Sequence, residues 1–320
     1  MKRECYISIV IITFNKLAYL KAVVANLMFQ TVKEHVEIII VNDGSTDGTE
    51  KFLADLCLPY PTKKLNTKND GSAAARNLGV QNANGKFILF VDNDILLEPD
   101  YLQKLIIRTK AAPDRIHSGN IRLIPIEIVS NVIERICSNN EINVTELSKL
   151  SYTDAIFGVL PVAYQKNPDA DLACWWGLVT GGNICFPKMI FNSVGGFDET
   201  FTSWGPEDVD LTYRAFKKGY KLAYHHDMML FHLDHERNSV DVKEAMARNV
   251  SLLLKKYNKS KDIIAYINFF NGMLSLNAFN LVCSQESNKY RDVVLDEYYV
   301  SLDYYINKEQ MINWKKNDNH

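Results

Sequence analysis

The stretch Phe87-Ile88-Leu89-Phe90-Val91-Asp92-Asn93-Asp94 decides the fold. Its first six residues, five of them apolar, read as a buried strand. Asp92 and Asp94 close it at i, i+2 spacing, and side chains two apart on extended backbone point the same way. Both carboxylates then face one small volume at the carboxyl edge of a sheet, where open α/β sheets bind ligands. Like charges side by side are unfavourable without a cation or strong donors between them. A divalent metal beside a diphosphate is the economical explanation. The plainer alternative is a pair of residues that merely end the strand and begin a turn.

Outward from this strand the pattern is regular. Residues 6–13 form a β-branched-rich strand, followed by a helix over about 16–30 with Asn15 placed as its N-cap. Residues 36–41 form a second strand. The polar turn Asn42-Asp43-Gly44-Ser45-Thr46 leads to a helix that Asp47 and Glu50 open at capping-box spacing. A helix over 73–82 precedes the central strand. Strand, helix, strand, helix, strand predicts an α/β fold with a mostly parallel central sheet flanked by crossover helices.

Residues 111–180, interrupted by Pro113, Pro125, Pro161 and Pro168, read as mixed strands and loops. Thr180-Gly181-Gly182-Asn183-Ile184-Cys185-Phe186 reads as a strand whose glycines permit close approach. A helix over 207–218 and a strand over 221–226 follow. The organisation expected is residues 1–237 as one domain in two halves, 1–110 and 111–237. Residues 238–320 form a helical extension, with helices over 242–257 and 263–279. The extension holds seven of the sixteen tyrosines, which suggests a packing or interaction face open to homo-oligomer formation.

With 320 residues, 47% of them hydrophobic, the chain can bury a sizeable core. Its 36 basic and 38 acidic residues leave a net charge of −2, which argues against nucleic acid as a partner. The six cysteines show no CxxC pair and no zinc spacing, as expected in a reducing cytoplasm. No apolar run approaches the roughly 20 residues of a transmembrane segment. A strand at residue 6 leaves no room for a signal peptide. Peripheral association with a membrane is compatible with all of this.

Three constellations carry chemistry. Thr13-Phe14-Asn15 and Asp43-Gly44-Ser45 end the first two strands and face the same edge as Asp92 and Asp94. A ring, a carboxylate and helix-start amides suit a nucleotide base. Asp-Gly is also a common turn pair that needs no ligand. Neither GxGxxG after the first strand nor GxxxxGK[ST] occurs, which counts against dinucleotide and P-loop sites. In Trp204-Gly205-Pro206-Glu207-Asp208-Val209-Asp210, proline and acids make an ordinary helix opening. Trp204 beside Gly205 is not explained that way. A ring over a sugar face with an adjacent carboxylate would form an acceptor site, and the carboxylate could take a hydroxyl proton. The third constellation is Phe231-His232-Leu233-Asp234-His235, in which His232 is either a structural histidine or a metal ligand.

These residues resemble the inverting glycosyltransferases of family 2 and, more broadly, the GT-A nucleotide-diphospho-sugar transferase fold. The resemblance rests on the first-strand run ending at Thr13-Phe14-Asn15, on Val41-Asn42-Asp43-Gly44-Ser45-Thr46-Asp47, on Gly71-Ser72-Ala73-Ala74-Ala75-Arg76-Asn77, and on Val91-Asp92-Asn93-Asp94 as the D-x-D motif. Gly195-Gly196-Phe197-Asp198-Glu199 and the Trp204–Asp210 run are similar to the C-terminal half of β-1,4-galactosyltransferases and of chondroitin-type polymerases. Pro206 replaces the second glycine of the usual W-G-G-E, a departure that bears on the mobility of the tryptophan loop. The resemblance covers roughly residues 5–237.

By that resemblance, Asp43 would hold uracil, with Thr13, Phe14 and Asn15 around it and Arg76 near the nucleotide. Asp92 would contact ribose or metal, and Asp94 and His232 would ligate Mn²⁺ or Mg²⁺. Trp204, Glu207 and Gly182 would border the donor and acceptor sugars, and Asp208 would be the general base. The implied activity is metal-dependent, inverting transfer of a hexose or N-acetylhexosamine from a UDP-sugar to a saccharide or glycoconjugate acceptor. A nucleotidyltransferase on a related fold would need a glycine-rich, arginine-containing loop where this chain has Thr13-Phe14-Asn15-Lys16. A non-catalytic carbohydrate-binding or assembly subunit would be expected to have lost some of Asp43, Asp92, Asp94, Asp208 and His232, and all five are present.

Overall fold

In the computed structural model, residues 4–32, 34–139, 144–165, 168–202, 205–236 and 239–285 are described. Trp204 and everything past 285, including five of the tail's tyrosines, lie outside them. One eight-stranded sheet organises the chain. Its N-terminal half contains β1 (Ile7–Thr13), β2 (Val36–Asn42), β3 (Thr62–Asn66) and β4 (Phe87–Asp92), all parallel, in the order β3-β2-β1-β4. The helices α1 (Leu17–Leu27), α2 (Thr49–Asp55) and α3 (Ser72–Gln81) make the crossovers. Nearly every residue of β1, β2 and β4 is buried, as continuous apolar runs covered on both faces require.

The second half is mixed. β5 (Ile95–Leu97), α4 (Tyr101–Ala111), β6 (Ile116–Ile124), β7 (Asn183–Pro187) and β8 (Leu222–Leu233) complete the order as β4-β7-β6-β8-β5. Here β7 runs antiparallel to β4 and β6, β8 runs parallel to β6, and β5 runs antiparallel to β8.

Several sequence expectations are corrected. Residues 111–180 are not mainly strand and loop: after β6 come α5 (Ile126–Asn139), α6 (Val144–Leu150) and α7 (Val159–Gln165). Two of the prolines taken as breakers are helix openers. Pro125 immediately precedes α5 and Pro161 lies in the first turn of α7, where a missing N–H costs nothing. Asn15 does not cap α1. It adopts a left-handed φ of 49° and its Oδ1 accepts from the Thr46 N–H at 2.7 Å, while Asp47 accepts from the Leu17 N–H at 2.8 Å. Nor does Asp47 close a capping box with Glu50, which approaches Asn66 instead.

Beyond β7 lie α8 (Lys188–Ser193), α9 (Glu207–Lys217), α10 (Ser239–Lys256), α11 (Lys261–Phe270) and α12 (Leu276–Gln285). The single helix expected over 263–279 is broken at Gly272, with φ 70°. The last three helices share one apolar cluster with the sheet: Leu253, Ile263, Phe269 and Phe279 belong to the same core as Val10, Phe90 and Ile184. No helix among the described residues is long and apolar enough to cross a membrane.

Candidate active site

The carboxyl ends of β1, β2 and β4, the turn before β7, the start of α9 and the faces of α10 and α11 surround a cavity of about 820 Å³. Thr13, Phe14, Asp43, Arg76, Asp92, Asp94, Gly182, Glu207, Asp208 and His232 all line it, so the parallel topology gathers most of the residues singled out from sequence. Asn15 stays outside the wall, because its side chain ties the β1–α1 loop to Thr46.

At the β2 edge, Asp43 is buried and organises the loop before α3. Its Oδ1 accepts from the Asp70 N–H at 2.8 Å and from the Thr67 hydroxyl, and its Oδ2 accepts from the Gly71 N–H at 3.0 Å. Thr13 accepts from Asn93 Nδ2 at 2.9 Å, and Phe14 is left largely exposed at the rim.

Arg76, on α3, is buried between two carboxylates. Nη2 donates to Asp92 Oδ1 at 2.9 Å and Nη1 to Glu207 Oε1 at 2.8 Å. Burial alone would favour the neutral guanidine. The charges of Asp92 and Glu207 outweigh it, so the group's pKa is raised and it stays a cation. One side chain thus joins the N-terminal half of the sheet to the start of α9. Gly182 makes room for this geometry, since a Cβ there would fall 2.4 Å from Asp92 Oδ2.

Asp92 and Asp94 part company. β4 ends at Asp92, so extended geometry does not carry through Asn93, and Asp94 faces a different set of partners. Its Oδ2 receives Lys16 Nζ at 2.8 Å and lies 3.3 Å from His235 Nε2, while its Oδ1 lies 3.7 Å from His232 Nε2. Burial would raise its pKa. The charges of His232 and Lys16, with His235, overcome that and hold it well below the usual carboxylate range.

Asp94, His232 and His235 each offer a ligand atom, all within 4.8 Å of one another, and Asp94 Oδ1 is buried without a hydrogen-bond partner. A carboxylate with an orphaned oxygen between two imidazoles fits a divalent cation. Asp92, expected at ribose or metal, is not in this group; its Oδ1 accepts from Arg76. His235 was missed from sequence, although its i+3 spacing from His232 at a strand end was a usable signal. Its Nδ1 meets the Glu236 carbonyl at 2.9 Å, which turns Nε2 toward Asp94.

At the head of α9, Asp208 opens onto the cavity. Its Oδ2 accepts from the Gly181 N–H at 2.8 Å. Burial, reinforced by the Glu207 charge, pushes its pKa up to about 7 against the pull of Arg76 and two backbone N–H groups. Gly205, with φ 77°, turns the chain just ahead, and its carbonyl accepts from Asn249 of α10 at 2.6 Å. Deeper in α9, Asp210 is fully buried and bound by Arg214, by Lys256 at 2.7 Å and by Tyr257 at 2.6 Å.

The chain is similar to known proteins along most of its length. Residues 8–160 match the model for glycosyl transferase family 2, and residues 165–236 match that for the N-terminal domain of galactosyltransferase. The chondroitin synthase of Escherichia coli is 25% identical over 263 residues, 78% of this chain and 38% of that protein. The hyaluronan synthase of Pasteurella multocida is 24% identical over 260 residues, 77% of this chain and 26% of that protein. The chain therefore spans well under half the length of either relative. Among solved structures, S. aureus TarS 1–349 in complex with UDP-GlcNAc superimposes with a TM-score of 0.53 at 16% identity, covering 82% of this chain and 72% of that one.

Proposed function

We propose that this chain, whose residues 8–160 match glycosyl transferase family 2 and whose architecture is that of the GT-A fold, is a metal-dependent, inverting enzyme. It transfers a hexose or N-acetylhexosamine from a UDP-sugar to an acceptor hydroxyl, in glycan or glycoconjugate synthesis.

The observation that carries this reading is Asp208. It is a carboxylate fixed by the Gly181 N–H, open to the cavity and with its pKa raised to about 7, where a general base works best near neutral pH. As the acceptor oxygen attacks the anomeric carbon, its proton passes to Asp208. The bond from that carbon to the diphosphate breaks on the opposite face, and its electron pair leaves with UDP. A positioned base of this kind contributes about 10²–10⁴-fold. Glu207, oriented by Arg76 and Ser72, binds acceptor hydroxyls beside it. Thr13, Phe14 and Asp43 form the base end of the donor site. Arg76 and Asp92 border the nucleotide and Gly182 borders the sugars, a role that Trp204, outside the described residues, is given from sequence alone. A UDP-sugar donor is supported by the UDP-GlcNAc complex of TarS.

Asp94, His232 and His235 would hold the metal, and mixed imidazole and carboxylate ligands favour Mn²⁺ over Mg²⁺. When bound, the ion would supply neutralisation of charge on the departing diphosphate. A cytoplasmic setting is supported by six cysteines that are all free. The test is UDP release from a panel of UDP-hexoses with Mn²⁺, Mg²⁺ or EDTA. Metal-dependent release from one sugar is expected; no release and no UDP binding would refute the reading.

A further inference from the structure

The cavity is lopsided in its chemistry. At the sheet edge converge Asp43, Arg76, Asp92, Asp94, His232 and His235. On the far side, α10 and α11 contribute Val242, Met246, Val250, Ile267 and Phe270, all lining the cavity and all only half-buried by the chain's own fold. Val242, Met246 and Val250 are spaced by four and so fall on one helical face; Ile267 and Phe270 are three apart on the next helix. Among the described side chains, neither helix adds a carboxylate to the lining: the polar residues there are Lys243, Tyr266 and, at the end of α11, Asn271.

Half-buried apolar side chains grouped in a concavity mark a ligand surface. The position of Asp208 says which ligand. A base serving an inverting attack stands on the side of the anomeric carbon away from the diphosphate, so the body of the acceptor extends from Asp208 away from the nucleotide end. The α11 face shares the cavity wall with Asp208. Tyr266 shows how close the two are, since burial and then the charges of Asp208 and Glu207 push its phenol's pKa up. A hydroxyl-rich saccharide laid there would lose water from its hydroxyls and gain almost no partners in return.

We infer that the acceptor is an amphiphile: a saccharide linked to an alkyl chain, with the chain lying against Met246, Val250, Ile267 and Phe270. An alkyl group suits this wall better than an aryl group, because three of those four side chains are aliphatic and none offers a ring partner a fixed polar contact. The inference rests on the transferase reading for its direction and extends it to a class of acceptor.

The test is calorimetric titration of the full chain, with and without saturating UDP. Octyl β-glucoside, kept below its micelle concentration, is compared with methyl β-glucoside. The octyl compound should bind about ten-fold or more tightly, by the burial of its added methylenes. In Val250→Asp that preference should fall to about three-fold or less, since an ionised carboxylate opposes alkyl burial, while UDP affinity is retained. Phe270→Ala is the second variant if Val250→Asp does not fold. Equal binding of the two glucosides, or a preference untouched by both variants, overturns the inference. Failure of UDP itself to bind would instead count against the donor site, and the titration without UDP still reads the apolar wall.

Discussion

The backbone N–H of Gly181 donates to Asp208 Oδ2 at 2.8 Å, so the turn before β7 aims the carboxylate at the head of α9. Asp208→Asn keeps that acceptor and removes the base, and transfer should fall by about 10²-fold or more while UDP binding persists. The stability effect has the opposite sign. A raised carboxyl pKa contributes stability that is complete below about pH 4 and lost as pH rises through about 7. Asparagine carries no charge to bury, so at pH 8 the variant should be more stable by about 2 kcal/mol, discounted for a side chain that opens to the cavity. Urea midpoints and UDP release read the two effects. Near-normal turnover would remove Asp208 from the base role.

Arg76 bridges Asp92 and Glu207 with two nitrogens of one planar group, a task a lysine ammonium cannot copy. Arg76→Lys should lower turnover more than it lowers stability. Arg76→Ala should cost about 3–5 kcal/mol, because it strands two carboxylates in a partly buried site. Chemical denaturation of both variants checks the order.

The metal group makes a prediction that separates His235 from Asp92. Replacing His235 by Ala should weaken Mn²⁺ binding by about ten-fold or more, and Asp92→Asn should weaken it far less. Lys16→Met should tighten it, since the Lys16 ammonium lies 2.8 Å from Asp94 Oδ2 and competes for that oxygen. Mn²⁺ titration followed by calorimetry or electron paramagnetic resonance decides. Loss of binding in Asp92→Asn alone would restore the original assignment.

Lys256 of α10 reaches both Asp210 at 2.7 Å and Asp198 at 2.5 Å, the latter carboxyl lowered to about 2 against burial, chiefly by Lys256 and Thr200. Lys256→Met should therefore destabilise the chain by about 1–3 kcal/mol, the usual contribution of hydrogen bonds to charged groups, with Asp210 keeping Arg214 and Tyr257 and Asp198 keeping Thr200. Truncation after residue 237 should leave no folded, UDP-binding protein, because α10 to α12 complete the main core. A folded truncation product with intact UDP binding would refute that role.

His117 and His225 stack with ring nitrogens 3.0 Å apart, and burial holds their pKa values down to about 3 and about 4. A lowered histidine pKa means the unfolded chain binds more protons. Stability is whole above about pH 6.5 and drains as pH falls toward 4, by up to about 1.4 kcal/mol per pH unit for each ring. Replacing His117 by Phe should flatten the fall in urea midpoint between pH 6 and 4.

Much of this was legible before any coordinates. β1, β2 and β4 are continuous apolar runs because both their faces are covered, and such runs can be read directly. β3 was not read, because Thr62, Lys63 and Lys64 belong to an edge strand whose exposure demands polar residues. α5 and α7 hid behind Pro125 and Pro161, since a proline that opens a helix and one that breaks it look alike in a list of residues. The Asn271-Gly272 pair did announce the break between α11 and α12, but the apolar pattern on either side masked it.

The catalytic groups divide in the same way. Residue types and local order in this chain determined which side chains carry charge or a hydroxyl and which element ends present them: Thr13, Asp43 and Asp92 at strand ends and the Glu207-Asp208 pair at a helix start. Partnership was decided only by tertiary structure. The antiparallel register that sets Ile95 opposite His232 brings two imidazoles from more than 130 residues away onto Asp94. The packing of α3 on β1 and β2 gives Asp92 to Arg76 instead. Side-chain chemistry is a local property of the chain; which charges neutralise one another depends on distances that only the closed sheet and its covering helices define.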